Sequence, residues 1–568
     1  MKSSIVKKGI VFVIIILFFG AGILPSTLGN IKQKTEFTIC YSRGYIQELI
    51  NNAEVGDTIN IPSGTYYENI IINKTINLVG AGKETTILMP TSIYRDLVDI
   101  TADWVNLSGF TIRKAAEDRY GIEISSNYNT IKNNNISENY NSGIKILEPY
   151  NKIIDNEIFS NNNLGIEIID TNLNTIEGNI ISSNEIGIEL IESTNNIITD
   201  NEISKNEYGI NMDYDSIANT ITDNIVNSNG FGIDIFSKNN NINGNTISNN
   251  DCGINLEGYN NNIESNSFLN DGLYVCTSIY NNIVDNTVNG KSLVYLENES
   301  NMIIDSNAGQ IILINCNEIT IKNLNIIDTH IGIILIKSNN CLITSNQINS
   351  NIKNGIDLYR SSYNEIKDNY LSNNEIGIFI LNSDDDNTIA GNTITTNEFY
   401  GIVLSSSNNN VIRNNEIESH NGYGINLITS KDNSITSNNI SDNNLGIAIL
   451  STGSYGNEIY HNNFLNNDQN AHDNSDIGNT WDDGTYGNYW SDYREKYPDA
   501  KKKTKEGIWD TPYEITGRDN IDYRPLIKQW PKTSTTNPQS VTTIFSSIKL
   551  LLERFPMLER LIYLLVIS

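Results

Sequence analysis

Two glutamates, Glu167 and Glu189, occupy the same place in successive copies of one short pattern, Gly165-Ile166-Glu167-Ile168 and Gly187-Ile188-Glu189-Leu190. Elsewhere that place holds Glu123, Lys145, Asn211, Asp234 and Asn255, with Asp213 and Glu257 two residues further along their own copies. If successive copies stack as neighbouring strands, these side chains project about 4.8 Å apart. That is close to the carboxyl separation at which a retaining glycosidase pairs a nucleophile with an acid, about 5–5.5 Å. The row also supplies hard oxygen ligands of the kind calcium takes. Glu167 and Glu189 are therefore calcium candidates, and Glu167, Glu189, Asp213 and Asp234 together are candidates for contact with a sugar chain. The plainest reading is a solvated acidic face, because any two acids stacked this way acquire that separation and raise each other's pKa. Later copies place Ile334, Phe379, Val403 and Ala448 here, leaving Asp357 and Arg360 as an isolated polar pair.

Transition-metal chemistry needs His, Cys or Met in compact clusters. The chain has four His, five Met and five Cys, without a Cys-x-x-Cys. His461 and His472, bordered by Asp468 and Asp473, are the nearest His pair and the one transition-metal candidate. Two His beside loop acids read first as surface residues, so any bound cation is expected to be calcium-like.

What must position these residues is a repeat of 22 to 23 residues. Its first half is Asn151-x-Ile153-x-x-Asn156-x-Ile158 and its second half Gly165-Ile166-x-Ile168. The first half recurs from Asn129 to Asn281 and from Asn364 to Asn457, and the glycine half from Gly121 to Gly446. A fixed period of this length means a solenoid. Within each copy β-branched Ile alternates with polar residues, which is a short-strand signal. Asn and Gly between the strands tolerate the left-handed backbone of a sharp corner. Stacked coils then place Asn above Asn, as hydrogen-bonded structural ladders rather than ligand contacts. The expectation is an all-β, right-handed parallel β-helix with three short strands per coil, in roughly sixteen coils over residues 101–465 at strand spacing.

Around this column the sequence divides into further segments. Residues 1–29 read as a signal peptide: Lys2, Lys7 and Lys8, the apolar run Ile10 to Leu24, and Thr27-Leu28-Gly29 before the cleavage point. Residues 30–100 read as the N-terminal cap and first coils, and residues 289–316 interrupt the cadence. Residues 466–530 lose the cadence and gain Trp481, Trp490, Trp509 and several Tyr, as a cap over the last coil requires. Trp490 beside Asp492 is also a candidate for stacking on a sugar ring. Residues 531–543 are a Pro/Ser/Thr/Asn linker. Residues 544–568 space Ile548, Leu551, Phe555, Leu558, Ile562 and Leu565 by threes and fours. Such a tail suits contact with a membrane surface or a partner protein. The formal net charge of −29 argues against nucleic acid and suits an exported, soluble protein.

The opening Ile46-Gln47, Gly56-Asp57-Thr58-Ile59, Ser63-Gly64-Thr65-Tyr66 and Leu78-x-Gly80 resembles the first coils of pectin-lyase-like β-helices. The repeats, the interruption Asn289-Gly290-Lys291 with Gly309-Gln310-Ile311, and the ending Gly487-Asn488-Tyr489-Trp490-Ser491-Asp492 with Asp510-Thr511-Pro512-Tyr513 resemble the NosD-type β-helix family over about residues 45–530. The resemblance implies right-handed parallel coils and a surface or periplasmic setting. It also implies kinship with carbohydrate-binding proteins, sugar hydrolases and a copper accessory protein. Against the β-helix enzymes, the chain has no Gly-His-Gly and no Asp-Pro-His-Asp. The loop Asp499-Ala500-Lys501-Lys502-Lys503 carries lysines where relatives carry calcium oxygens. The reading is an exported cell-surface binding or structural module toward polysaccharide. The alternatives are a polysaccharide lyase, hydrolase or uronan epimerase, or a periplasmic copper accessory protein.

Overall fold

The computed structural model describes residues 44–531 apart from 277, 383–385 and 477. The segments read as signal peptide, the start of the N-terminal cap, most of the linker and the C-terminal tail lie outside the described residues. The chain forms a parallel β-solenoid of about 19 turns with almost no helix. Each coil contributes one strand to each of three sheets, here the first-Asn, second-Asn and Gly-Ile sheets. The Gly-Ile register runs Glu123, Lys145, Glu167, Glu189, Asn211, Asp234, Asn255 across consecutive coils. Ile166, Ile188, Ile210, Ile233 and Ile254, one residue before, are fully buried. Inward and outward positions are therefore as the alternation predicts.

Asparagine ladders hold the corners. Asn156 Nδ2 and its backbone N–H both donate to Asn179 Oδ1, and Asn179 repeats this to Asn201. The two expected ladders are joined by a third five residues on, through Asn139, Asn161, Asn184, Asn206, Asn229 and Asn250. It ends on Asp271, whose Oδ2 accepts from Asn250. In the later coils His420 takes the ladder place, receiving the backbone N–H of Asn397.

The column is not continuous. At Asn289-Gly290, with φ of 51° and 74°, the chain makes a two-residue hairpin, and Thr287–Val288 pairs antiparallel with Lys291–Glu297. Two positive φ values with an Asn-Gly sequence are the chemistry of a type I′ turn. Lys291–Glu297 then pairs parallel with Ala308–Ile314, and that strand with Ile333–Ile336, the first of the later Gly-Ile strands. The second-Asn sheet of the first stack thus continues, with strand direction reversed, as the Gly-Ile sheet of a second stack. Keeping the same handedness with reversed strands moves the core to the opposite face of that sheet. Accordingly Ile312, Ile314, Ile334 and Ile336 close the end of the first core, while Ile311, Leu313, Ile333 and Leu335 line the second. Buried Gln310 caps the free edge of the first stack's last Gly-Ile strand, donating to Leu273 O and accepting from Leu273 N.

Both outer ends are covered. The helix Tyr45–Asn52 buries Ile46 and Ile50 over the first coil, with its N-terminal N–H groups of Ile46 and Gln47 on the Glu68 carboxylate. At the far end Trp481, Trp490, Tyr493, Trp509 and Tyr513 are buried. Among the described residues no helix is long and apolar enough to cross a membrane.

Candidate functional site

The acidic row runs along a part-buried strip of the Gly-Ile face rather than an openly solvated one. Glu123, Lys145, Glu167 and Glu189 are half-buried, and the row deepens to Asp234 and Asn255, only 3% and 7% exposed. It begins earlier than the glycine motif indicates. Asp99, the outward residue of Val98–Ile100, is in register with Glu123, and Asp96, Asp99 and Glu123 bring carboxylate oxygens within 4.8 Å of one another. Among the described residues this is the only such group of three metal-capable side chains.

Burial raises every carboxyl pKa along the row. Asp99 is pushed up to about 6 by burial, with Asp96 and Glu123 adding repulsion. Glu123 is raised by burial and Asp96 against the pull of Lys145. Burial raises Glu167 against Lys145, and raises Glu189 against a hydrogen bond from Asn211. Asp234 reaches about 6, although Asn255 Nδ2 donates to it at 2.9 Å. Lys145 is the one cation of the row. Burial would lower its pKa, but the Tyr120 hydroxyl at 3.1 Å and the flanking Glu167 and Glu123 outweigh that and keep it protonated. The row is thus rich in acceptors and poor in donors. The amide oxygens of Asn211 and Asn255 sharpen this, being shut away from solvent with no hydrogen-bond partner. A buried acceptor without a donor is rare enough to need an explanation.

The other sequence candidates lie apart from this row. The Asp213 carboxylate takes the backbone N–H of Glu192 and the hydroxyl of Ser216, so it closes a turn. Asp357 stands beyond the elbow between the stacks, where burial pushes its carboxyl up to about 7 and one oxygen has no partner. Arg360 forms no ion pair with it among the described residues, its guanidinium lying 5.1 Å from the Tyr359 ring. Trp490 is 2% exposed and sandwiched between Phe464 at 4.4 Å and Tyr513 at 4.1 Å, which leaves no ring face for a sugar. Asp492 accepts from Asn470 and the Tyr513 hydroxyl, again inside the cap.

Copper does not fit these residues. His461 lies 3.2 Å from Asp483 and stacks on Trp530 at 3.5 Å, whereas His472 sits on another strand beside Thr516. His330 and His420 are buried, His330 held by the Asp251 carbonyl and His420 within the asparagine ladder. Cys252, Cys316 and Cys341 are buried.

Asp271 makes a further prediction. It is fully buried, and its pKa is about 7, raised by burial against the amide and backbone N–H of Asn250. A carboxyl whose pKa rises on folding binds its proton more tightly in the native state. Its stabilisation is complete below the unfolded value near 4 and is lost as pH rises through about 7. The unfolding temperature is expected to fall between pH 4 and pH 8. Asp271→Asn, which restores the ladder amide, should recover stability on the order of 4 kcal/mol at pH 8, at about 1.4 kcal/mol per pKa unit. Thermal scans of both proteins across that range check this; parallel curves would show that Asp271 is not the group responsible.

Fold and site together define the class: a right-handed parallel β-helix protein with a long, part-buried polar row on its Gly-Ile face. Residues 297–495 match the family described as periplasmic copper-binding protein (NosD), and residues 120–268 match the right handed beta helix region. The two matches and the parallel solenoid support kinship with the NosD-type β-helix family. Among solved structures it is similar to a PL6 alginate lyase complexed with trisaccharide, at 13% identity and TM-score 0.38, over 59% of this chain and 84% of that one. It is also similar to tailspike protein 2 of Escherichia coli O157:H7 bacteriophage CAB120, at 15% identity and TM-score 0.32, over 49% and 40% of the two chains. Pectate lyase Pel9A gives 15% identity and TM-score 0.26, over 42% of this chain and 72% of that one. The likeness is one of fold. No curated protein matches the chain.

Proposed function

We propose that this protein is an exported surface-binding module that holds a polysaccharide chain along the acidic row of its first stack. The observation that carries the reading is the row's donor poverty. The carboxylates select a ligand that donates many hydrogen bonds, as sugar hydroxyls do. The spacing of about 4.8 Å per coil supplies such contacts repeatedly along an extended chain. A calcium-like cation fits Asp96, Asp99 and Glu123 better than Glu167 and Glu189, because three oxygens converge there. The basic, apolar leader and the periplasmic description of the matching family support export. The heptad tail would hold the module at a membrane surface or on a partner protein.

Catalysis is the second reading. Lys145 between two glutamates could neutralise a substrate carboxylate, and a carboxyl of raised pKa such as Asp234 could transfer a proton. A glycan array probed with residues 30–568, together with reducing-sugar and unsaturated-uronide assays on the glycans bound, tests both. Binding without product, weakened at least tenfold by Glu167→Gln with Glu189→Gln, is the expected result. Product formation lost in Asp234→Asn would replace the binding module with a lyase or hydrolase.

A further inference from the structure

A second strip of the first stack carries a different signature. From Trp104 onward in the first stack, the corner residue before each first-Asn strand has a left-handed backbone, and the later corners hold Asn195, Asn239 and Asn260 at φ 55°, 60° and 56°, Ala218 at 60° and a single unstacked Tyr280 at 63°. Four earlier corners instead hold Trp104, Tyr128, Tyr150 and Leu173 at φ 60°, 60°, 62° and 58°. Bulky side chains tolerate this conformation poorly, whereas Asn tolerates it well. They are not placed there to be buried: Trp104 is 60% exposed, Tyr128 39%, Tyr150 43% and Leu173 44%. Strain kept in return for exposed aromatic surface points to a ligand rather than to folding.

The rings form a wall. Trp104 stacks on Tyr128 at 4.4 Å and 5°, and Tyr128 on Tyr150 at 4.8 Å and 9°. Because the rings cover one another's faces, they offer the solvent their edges. At their foot runs a shallow groove of about 340 Å³ whose floor carries Thr130, Lys152 and Thr175, one per coil. Lys152 is its one charged lining residue, and Lys132 lies on the adjoining coil of the same sheet. In a chain of net charge −29, this groove is lined by a cation and by no carboxylate. It offers ammonium and hydroxyl donors where the acidic row is dominated by acceptors.

We infer that the Trp104–Tyr128–Tyr150 strip is a binding site for an acidic glycan, an extended chain bearing carboxylates. Its sugar residues run along the ring edges while Lys152 takes a carboxylate. The inference shares with the preceding proposal only the class of ligand. It uses a different surface, so the two stand or fall separately.

The probes are a hexameric oligogalacturonate and a neutral cellohexaose, titrated into the full chain with tryptophan fluorescence as readout. Trp104 has an exposed ring, whereas Trp481, Trp490 and Trp509 are buried and the half-buried Trp530 is stacked on His461 away from this strip. Oligogalacturonate should change the emission and bind at least tenfold more tightly than cellohexaose. Trp104→Ala should abolish the signal, Lys152→Glu should lower the affinity at least tenfold, and Glu167→Gln with Glu189→Gln should leave both unchanged. Tyr128→Asn gives a readout that a merely structural stack would not: it should weaken binding yet raise the unfolding temperature, because Asn suits the corner better. A fall in unfolding temperature with unchanged binding would overturn the inference, as would equal affinity for the two hexamers. Concentration-dependent dimerisation lost in Trp104→Ala would also overturn it, assigning the strip to a second copy of the chain.

Discussion

Replacing Ile188 with aspartate should unfold the first stack, or destabilise it by at least about 4 kcal/mol, whereas Glu189→Gln next to it should change stability by less than about 0.5 kcal/mol. Ile188 is fully buried between Ile166 and Ile210 on adjacent coils, with no polar group arranged to receive a carboxylate. The substitution removes one apolar side chain and adds a charge that must either stay unsolvated or take up a proton. In a solenoid each coil is stabilised by its two neighbours, so both interfaces suffer. Glu189 points the other way, onto the acidic row, where its pKa is already raised by burial. Denaturant unfolding of the two variants decides the matter: equal shifts in midpoint would mean that inward and outward positions have been exchanged.

The second large effect is expected at Asn179. Its Oδ1 accepts two hydrogen bonds from Asn156, and its Nδ2 donates to Ile153 O, Glu177 O and Asn201 Oδ1 at 2.8–3.0 Å. Asn179→Ala strands several buried donors and acceptors at once, each costing about 1–3 kcal/mol when left unpaired. The loss should reach about 4 kcal/mol, with Glu177→Ala, on the exposed outer face, within about 0.5 kcal/mol of the parent protein. Calorimetric unfolding measures both. A mild Asn179→Ala would mean that water replaces the amide and that the ladders are not a main source of stability.

Much of this was legible in the residues because a solenoid repeats the same physics every coil. The Gly-Ile alternation assigned Glu167, Glu189 and Asp234 to one outward row and Ile166 and Ile188 to the core. Two fully polar Asn columns at fixed spacing could only be ladders. The third column was equally regular but is broken by Asp271 and His420, residues whose types suggest chemistry rather than corner-building. Asp99 escaped because Leu97-Val98-Asp99-Ile100 lacks the preceding glycine, and so the convergence of Asp96, Asp99 and Glu123 was hidden. Asn289-Gly290 read as an interruption although it is a two-residue hairpin. Local turn chemistry was present, but only the stacking of Ile312 and Ile334 onto the first core reveals that the column changes sides there. Trp490 shows the limit of composition: an aromatic ring beside an acid fits a sugar platform and a cap alike, and Phe464 and Tyr513 on its two faces settle it as a cap. The strained aromatic corners had no sequence signal at all, since Tyr before Asn has meaning only once φ is known.

The proposed binding of a polysaccharide along the row from Asp99 to Asn255 runs through its acceptors. Its most direct test is calorimetric titration of the best glycan-array ligand into the parent protein and into the Glu167→Gln, Glu189→Gln double variant, each also scanned for unfolding temperature. Stoichiometric binding by the parent, at least tenfold weaker in the variant at unchanged unfolding temperature, is the predicted result. Equal binding by the two proteins would place the ligand elsewhere and contradict the claim.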